Sequence, residues 1–343
     1  MLKVLVVGSD NTFSIENFYV KYLKENSIDV SRFLAPNIFY DYYQKNIINK
    51  IAFKTGVSLI YKFLNSKFRE TVEIEKPDII WVFKGMELYP ESLEWARSRN
   101  IKLVNYNPDN PFLFSGVGSG NKNITRSISL YHLHFTYNLE IKKKLEMEFD
   151  AKTFWLPFGF EVNDEMYNSL CEQEEILETC FLGNPDKERS LFIESLAYKG
   201  VSITVFGLNW ERYTSHPNVK IAGPVYGSEL SRVLRKYRVQ LNLLRPHNLD
   251  SHNMRTFEVP GVGGIMVAPN TAEHQMFFQN GREAFWFKDL SECADLIKCI
   301  LQFPEQKVEE IRKAARERSL QSGYSYEERS AQALREISKL MSR

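Results

Sequence analysis

Residues 241–273 hold the densest group of side chains that could do chemistry: LNLLRPHNLDSHNMRTFEVPGVGGIMVAPNTAE. A predicted strand ends at Leu244, a polar loop follows, and a helix is expected to open around Ser251. The start of a helix presents backbone N–H groups and the positive end of the helix dipole, which suit a diphosphate. Asp250 and Glu258 are eight residues apart, about two helical turns, so the spacing predicts both carboxylates on one helix face.

These charged side chains have the chemistry of a nucleotide site. A carboxylate can accept hydrogen bonds from both hydroxyls of a ribose, and Arg245 and Arg255 can neutralise a diphosphate that leaves. Simpler alternatives are a solvated carboxylate at Glu258 and a surface ion pair at Arg255. His247 and His252 flank the loop, either as ligands or as solvated loop residues.

The elements that must position these groups alternate along the whole chain. Runs with the composition of strands are separated by helical segments, which predicts parallel βαβ units. The predicted strands cover residues 3–7, 78–83, 101–106 and 132–137, and then 179–182, 202–206, 219–222, 239–244, 264–268 and 284–287. The fold class is therefore α/β, with two Rossmann-like doubly wound halves, as expected for 343 residues at about 150 residues per domain. We expect domains at 1–160 and 161–322 and a C-terminal helix at 323–343.

Composition excludes several classes of protein. The 44 Lys and Arg residues nearly balance the 43 Asp and Glu residues, which argues against a protein built to bind nucleic acid. The four cysteines stand in no metal-ligand spacing, and no GxxxxGK[ST], HExxH or GxSxG motif occurs, so we expect no metal site. No GxGxxG motif follows the first strand, which counts against a dinucleotide dehydrogenase. No segment approaches the length that crosses a bilayer.

Aromatic residues are unusually frequent, with 24 Phe, 17 Tyr and 5 Trp. Many lie in a basic, helical insertion at residues 36–70, where they alternate with lysines. One interpretation is a helical layer packed on the sheet with solvated lysines. The other is a surface that meets a large acceptor or lies at a lipid interface.

Several of these motifs together resemble a known family. Asp250 and Glu258 precede VPGVGGIMV, and residues 252–258 read HNMRTFE; FLGN (181–184), VFGLNW (205–210), GPVY (223–226) and NPDNP (107–111) fall at loops that follow predicted strands. The sequence resembles the GT-B glycosyltransferases, most closely the CgeB-like, spore-maturation branch. The resemblance implies two Rossmann-like domains that face across a cleft, with the C-terminal helix packed back on the N-terminal domain.

The resemblance also implies roles for individual residues. Glu258 would hold the donor ribose, Asp250 would face the donor sugar, and Asn253 and Arg255 would share sugar and phosphate binding. The other positions expected at the donor are Gly183, Asn184, Arg189, Gly207, Asn209, Trp210, Val225, Tyr226, Arg245, His252 and Thr256. In the first half, Asp109 is the candidate catalytic base beside Asn107. Gly8 and Ser9 are expected either to line the cleft or to form an ordinary turn.

The implied activity is transfer of a sugar from a nucleoside-diphosphate sugar, without a metal and with retention of configuration. A UDP-sugar is the foremost donor, a GDP- or other NDP-sugar the alternative, and no further cofactor is required. The expected acceptor is a glycan, a lipid-linked molecule or a protein, reached in the cytoplasm or at the inner membrane face through residues 36–70. Two other functions fit the same architecture: a nucleotide-sugar epimerase, or a silent module that binds a sugar or a partner.

Overall fold

The structure is a computed structural model that describes residues 1–12, 14–114, 119–248 and 250–342, without the side chain of His247. The chain forms two compact units. The first contains Met1–Pro157 together with Arg329–Arg343, and the second contains Phe158–Glu328. Among the described residues, no helix has the length and apolar character needed to span a bilayer.

The first unit is built on one parallel sheet of six strands in the order β2-β1-β3-β4-β5-β6. Its strands are β1 Lys3–Val7, β2 Asp29–Phe33, β3 Ile79–Phe83, β4 Lys102–Asn107, β5 Leu133–Thr136 and β6 Thr153–Trp155. Its helices are α1 Glu16–Glu25, α2 Ala35–Lys45, α3 Ile47–Lys54, α4 Ile60–Glu75, α5 Pro90–Arg97, α6 Lys122–Ser127 and α7 Leu139–Phe149.

The second unit repeats the plan, with a six-stranded parallel sheet in the order β12-β11-β10-β7-β8-β9. Its strands are β7 Ile176–Leu182, β8 Ile203–Phe206, β9 Val219–Ala222, β10 Tyr237–Leu241, β11 Met266–Pro269 and β12 Phe285–Phe287. Its helices are α8 Asp164–Cys171, α9 Lys187–Tyr198, α10 Gly227–Lys236, α11 Arg255–Gly261, α12 Ala272–Phe277, α13 Leu290–Leu301 and α14 Glu305–Gln321. The last helix, α15 Tyr326–Met341, returns to the first unit from Arg329 onward.

The α/β fold class predicted from the sequence is confirmed, and most predicted strands agree with the structure to within three residues. The sequence did not locate β2 and β6, which are the two edge strands of the first sheet. Edge strands are buried on fewer sides than central ones, so their sequences carry a weaker apolar signal. β2 reads DVSRF and has one buried residue in five, and β6 has only three residues.

The aromatic insertion forms the three helices α2, α3 and α4. α4 packs on the first unit through Ile60, Leu64 and Phe68, which are buried in the core of that unit. Phe39 of α2 and Phe53 of α3 pack against this core, and their rings lie edge-on with centroids 4.8 Å apart. The insertion is therefore a helical layer whose inner side is fixed by aromatic contacts.

Candidate functional site

The strand order of the second sheet reverses between β7 and β10. The chain adds β8 and β9 on one side of β7, and β10, β11 and β12 on the other. In open parallel sheets, ligands bind beyond the carboxyl ends of the strands at such a reversal, because the connecting loops diverge there. Gly183 follows β7 and Asn242 follows β10, so both residues flank this point.

Close backbone packing shapes one side of this edge. A Cβ atom on Gly207, which follows β8, would lie 2.5 Å from the carbonyl oxygen of Gly183, so only glycine fits there. Trp210 Nε1 donates a hydrogen bond to that same carbonyl oxygen at 2.9 Å. The Asn184 side chain accepts from the amide of Leu208 at 2.9 Å. The predicted loop residues after β7 and β8 are thus brought together.

Two arginines place positive charge at the same edge. Arg189 is buried in the first turns of α9, where its Nε donates to Asp186 Oδ2 at 2.6 Å and its guanidinium also donates to the carbonyl of Asn184. Burial lowers the pKa of Arg189, Asp186 opposes the shift, and the like charge of Arg245 lowers the pKa further. Arg245 is exposed in the loop after β10. Two neighbouring guanidinium groups, of which only Arg189 is paired with Asp186, suit a multivalent anion.

The loop between β10 and α11 is held by side-chain amides. Asn242 Oδ1 accepts from Asn253 Nδ2 at 2.7 Å, and Asn242 Nδ2 donates to Thr256 Oγ1 at 3.3 Å. The amide of Thr256 donates in turn to Asn253 Oδ1 at 3.2 Å. These bonds fasten the start of α11 to the carboxyl end of β10.

A buried histidine completes this network. His274 Nδ1 lies 2.7 Å from the carbonyl oxygen of Pro269, and His274 Nε2 lies 3.0 Å from Thr256 Oγ1. A carbonyl only accepts, so Nδ1 carries the proton, Nε2 accepts, and the Thr256 hydroxyl donates. Burial lowers the pKa of His274 to about 4, which keeps the ring neutral. The ring stacks on Trp286 with centroids 5.1 Å apart.

Glu273 fixes the middle of the same loop. One of its carboxylate oxygens, Oε2, accepts from Ser251 Oγ at 2.6 Å and lies 2.6 Å from His252 Nδ1. Thr271 Oγ1 donates to the carbonyl of Ser251 at 2.8 Å. All four side chains are buried, so α12 acts as the support for the loop that the sequence singled out.

Arg255 and Glu258 form an ion pair on α11. Both side chains are only partly exposed, so the pair lies in the wall of the site rather than in open solvent. Arg255 also lies near β7: burial raises the pKa of the Cys180 thiol in that strand, whereas Gln240 and Arg255 lower it. The ion pair with Arg255 uses Glu258 Oε2. The carboxylate can therefore still accept hydrogen bonds from hydroxyl groups through its other oxygen.

The structure corrects the predicted relation between Asp250 and Glu258. α11 begins at Arg255 rather than around Ser251, and Asp250 is an exposed turn residue with φ +63°. The two carboxylates therefore do not share a helix face. The reason is that Asn248 Nδ2 and Thr271 Oγ1 bind the carbonyl groups of His252 and Ser251, which in a helix would accept from amides four residues on.

Three predicted donor ligands are fully buried and support the site instead. Trp210 and Thr256 use their polar atoms as described above, and His252 pairs with Glu273. Of the remaining predicted positions, Asn209 has a left-handed backbone with φ +66°, and Val225 and Tyr226 precede α10 after β9, the outermost strand on that side. His247 was also singled out, but its side chain lies outside the described residues.

The strand order of the first sheet reverses between β1 and β3, and a second cluster of polar side chains lies there. Ser9 is buried, and its amide donates to Glu16 Oε1 at 2.6 Å. A Cβ on Gly8 would lie 2.7 Å from that same oxygen, which explains the glycine. Burial raises the pKa of Glu16, while the Ser9 amide and the charges of Arg32 and Lys84 lower it. Gly8 and Ser9 thus enclose a buried carboxyl group.

Asp109 lies at the same edge and is paired with a lysine. Lys84 Nζ is 2.6 Å from Asp109 Oδ2, and the Asp109 amide donates to Asn107 Oδ1 at 3.0 Å. Burial raises the pKa of Glu87 to about 7; Lys84 lowers it and Glu16 raises it. The predicted residues Gly8, Ser9, Asn107 and Asp109 therefore accompany Glu16, Lys84 and Glu87 at one end of the sheet.

Sequence reasoning missed the residues that act from neighbouring helices. Glu273 and His274 follow Thr271, whose side chain caps α12 by accepting from the amide of His274. That capping pattern, directly after a strand, was the available signal. Glu16, Lys84 and Glu87 gave no motif, since chain topology alone brings them together. Across the described residues, no three His, Cys, Asp or Glu side chains converge in a way that could hold a metal ion.

Comparison with known proteins agrees with this architecture. Residues 188–335 match a family model described as glycosyl transferase-like. Sucrose-phosphate synthase from Thermosynechococcus elongatus superposes with a TM-score of 0.68 at 11% identity, covering all of both chains. The chain has the GT-B fold. The narrower likeness to the CgeB-like branch stays a prediction.

Two further solved structures were determined with nucleotide sugars. HepE from Anabaena in complex with UDP-glucose has a TM-score of 0.68 at 14% identity, covering 99% of this chain and 100% of that one. UDP-GlcNAc 2-epimerase from Neisseria meningitidis bound to UDP-GlcNAc has a TM-score of 0.57 at 15% identity, covering 98% and 100%. A search of curated proteins finds no significant match.

The buried histidine predicts a specific response to acid. His274 titrates at about 4 in the folded chain and near 6.5 when unfolded. Between these values the unfolded state binds more protons, so acidification from pH 7 to pH 4 costs up to about 3 kcal/mol of stability. His274→Gln lacks this titration and loses about 2 kcal/mol at pH 7 through broken buried hydrogen bonds. The gap between the free energies of unfolding of the two proteins should therefore narrow as the pH falls and change sign as the pH approaches 4.

Denaturant unfolding of both proteins between pH 7 and pH 4 measures this gap. His134 in the first unit also has a pKa lowered to about 4 by burial, but it is present in both proteins and cancels in the difference. A gap that stays constant with pH would contradict the neutral, buried state of His274.

Proposed function

We propose that this protein is a glycosyltransferase. It would move a sugar from a nucleoside-diphosphate sugar, foremost a UDP-sugar, to a hydroxyl group on a glycan, a lipid-linked molecule or a protein. The GT-B fold and the glycosyl transferase-like match over residues 188–335 support this class of reaction. The UDP-glucose in the HepE structure supports the choice of donor.

One observation carries the proposal. At the strand reversal of the second sheet, the exposed Arg245 neighbours the buried Arg189, and the Arg255–Glu258 pair lies on a helix fastened to the end of β10. In the proposed complex the diphosphate meets the arginines, and the ribose hydroxyls donate to Glu258. Such an arrangement offers cationic partners to the diphosphate and an acceptor to the ribose at one edge of the sheet.

The proposed transfer depends mainly on charge and position. As the bond to the sugar breaks, negative charge grows on the diphosphate, and fixed guanidinium groups stabilise it without reorganisation. The sugar passes through an oxocarbenium-like state, which needs orientation more than covalent help. We propose that the arginines suffice without a metal and that configuration is retained. Asp250 is proposed to face the donor sugar from its exposed turn.

On the acceptor side, we propose Asp109 as the base that takes the proton of the attacking hydroxyl. Lys84 holds its carboxylate in place through the 2.6 Å ion pair. Glu87 is the second candidate, since a pKa of about 7 matches a base that works near neutral pH. We further propose that the reaction takes place in the cytoplasm.

Binding of a nucleoside diphosphate is the first expected outcome. A thermal-shift panel of UDP, GDP, ADP and CDP should show stabilisation by at least one, with UDP the largest, because a ligand of the folded state raises the melting temperature. Glu258→Gln preserves the side-chain shape but removes the charge, and should weaken binding about ten- to a hundredfold.

The matched control is Glu229→Gln, which alters an exposed glutamate of α10 in the same unit. This variant should keep the full shift. If no nucleoside diphosphate stabilises the wild type, the donor site is refuted, and the alternative of a catalytically silent binding module is favoured. If Glu258→Gln binds the nucleoside diphosphate as tightly as the wild type does, Glu258 is not part of the donor site.

The reaction products distinguish the transferase from an epimerase. The epimerase alternative is favoured by the buried carboxyl groups Glu16 and Glu87 beside Lys84, which could move protons on a sugar ring. The test incubates the protein with a panel of UDP-sugars, with and without a glycan acceptor. Mass spectrometry and NMR of the products then distinguish the two activities. We expect free UDP and a heavier glycan. A changed sugar configuration without any acceptor would overturn the transferase proposal.

The base assignment is tested by Asp109→Asn. This variant should lower the transfer rate about a hundredfold while the thermal shift with UDP stays unchanged, because Asp109 belongs to the first unit. Asp29→Asn, an exposed aspartate at the start of β2 in the same unit, should leave both measurements unaltered. If Asp109→Asn keeps full activity and Glu87→Gln lowers the transfer rate, Glu87 rather than Asp109 is the base.

A further inference from the structure

The helical insertion of the first unit exposes an unusual amount of apolar surface. Seven large apolar side chains between residues 40 and 63 are 46–71% exposed: Tyr40, Ile47, Ile48, Ile51, Val57, Leu59 and Phe63. No 24-residue stretch of the described chain that lies wholly outside residues 40–63 exposes more than four. Single exposed apolar residues need no explanation, but a concentration of this kind marks an interaction surface.

The isoleucines lie on the outer face of α3. Phe53 anchors this helix inward, since its ring contacts Phe39, Tyr43 and Tyr61. None of the eight residues of α3 is fully buried. Ile47 and Ile51 are four positions apart, and Ile48 and Ile51 three, so the three side chains share one face. The helix thus rests on aromatic rings and directs its branched aliphatic side chains into solvent.

An open apolar groove continues this face. Ile48 is followed four positions later by Ala52, which lines a groove of about 610 Å³ together with Val57, Leu59 and Phe63. Lys45 stands at the border of the groove. The apolar surface is therefore continuous from α3 to the start of α4.

The charge around this surface is mainly positive, although Asp41 also lines the groove. Residues 40–66 contain four lysines, Lys45, Lys50, Lys54 and Lys62, against the single acid Asp41. Branched aliphatic side chains with surrounding lysines are typical of helices that lie in the headgroup region of an anionic bilayer, where the lysine stems extend toward the phosphates.

Protein partners fit this surface less well. Protein interfaces are depleted in lysine and enriched in arginine, whereas residues 40–66 contain no arginine. A symmetric contact between two copies would set the lysines of one copy close to those of the other, which is unfavourable.

We propose that the outer face of α3 and the adjoining groove form a docking surface for an anionic phospholipid bilayer. α3 lies in the plane of the bilayer, Ile47, Ile48 and Ile51 enter the acyl boundary, and the lysines contact lipid phosphates. The groove beside Ala52 receives part of an acyl chain. This inference does not rest on the donor site, because the surface belongs to the first unit and its test measures no transfer.

Vesicle flotation with the purified full chain tests the proposal. The protein should float with vesicles of phosphatidylglycerol and phosphatidylcholine in equal parts, but not with phosphatidylcholine alone, and added salt should weaken binding. Ile47→Ser/Ile48→Ser/Ile51→Ser should reduce binding at least about tenfold. Lys50→Gln/Lys54→Gln should reduce it about fivefold per lysine.

The matched control carries Ile74→Ser, Met147→Ser and Leu191→Ser, three similarly exposed apolar residues elsewhere in the chain. This control should bind anionic vesicles as the wild type does, and the melting temperatures of all variants report folding. The proposal is overturned if the wild-type protein does not bind anionic vesicles, or if the isoleucine variant binds them as strongly as the wild type does. The proposal is also overturned, in favour of self-association, if analytical ultracentrifugation shows that the wild type is a dimer and the isoleucine variant is a monomer.

Discussion

The candidate donor site depends on one buried polar network. Asn242 at the end of β10 is joined through Thr256 to His274, and Glu273 holds Ser251 and His252. Buried polar groups are costly unless paired, so the loop that carries them has few alternative conformations. Arg255 and Glu258, which pair with each other on α11, are therefore carried by a backbone whose position this network fixes.

The two units use the same topology for different chemistry. Each sheet reverses its strand order beside its first strand, and each reversal carries charged side chains. In the second unit Arg189 and Arg245 bring positive charge, suited to an anion. In the first unit Glu16, Glu87 and Asp109 gather around Lys84, suited to proton transfer. The same sheet plan thus carries two different clusters of charged side chains, one at each strand reversal, and the loops determine the chemistry of each cluster.

Local sequence signals predicted the fold well and the site only in part. The βα alternation and the glycine-containing loops after β7 and β8 are short-range features, so the sheets and the place of the site followed from them. Whether a side chain faces solvent depends on residues far away in sequence. Trp210, His252 and Thr256 were therefore taken for ligands although they are buried supports. Asp250 was placed on a helix because the side-chain bonds that delay α11 come from Asn248 and Thr271.

The central claim is that the strand reversal of the second unit holds a nucleoside diphosphate. A crystal structure of the protein grown with UDP tests it most directly. We expect the diphosphate within hydrogen-bonding distance of Arg245, near Arg189, and the ribose hydroxyls on the carboxylate of Glu258. A well-ordered UDP bound elsewhere, or at this edge with its ribose directed away from Glu258, would contradict the account.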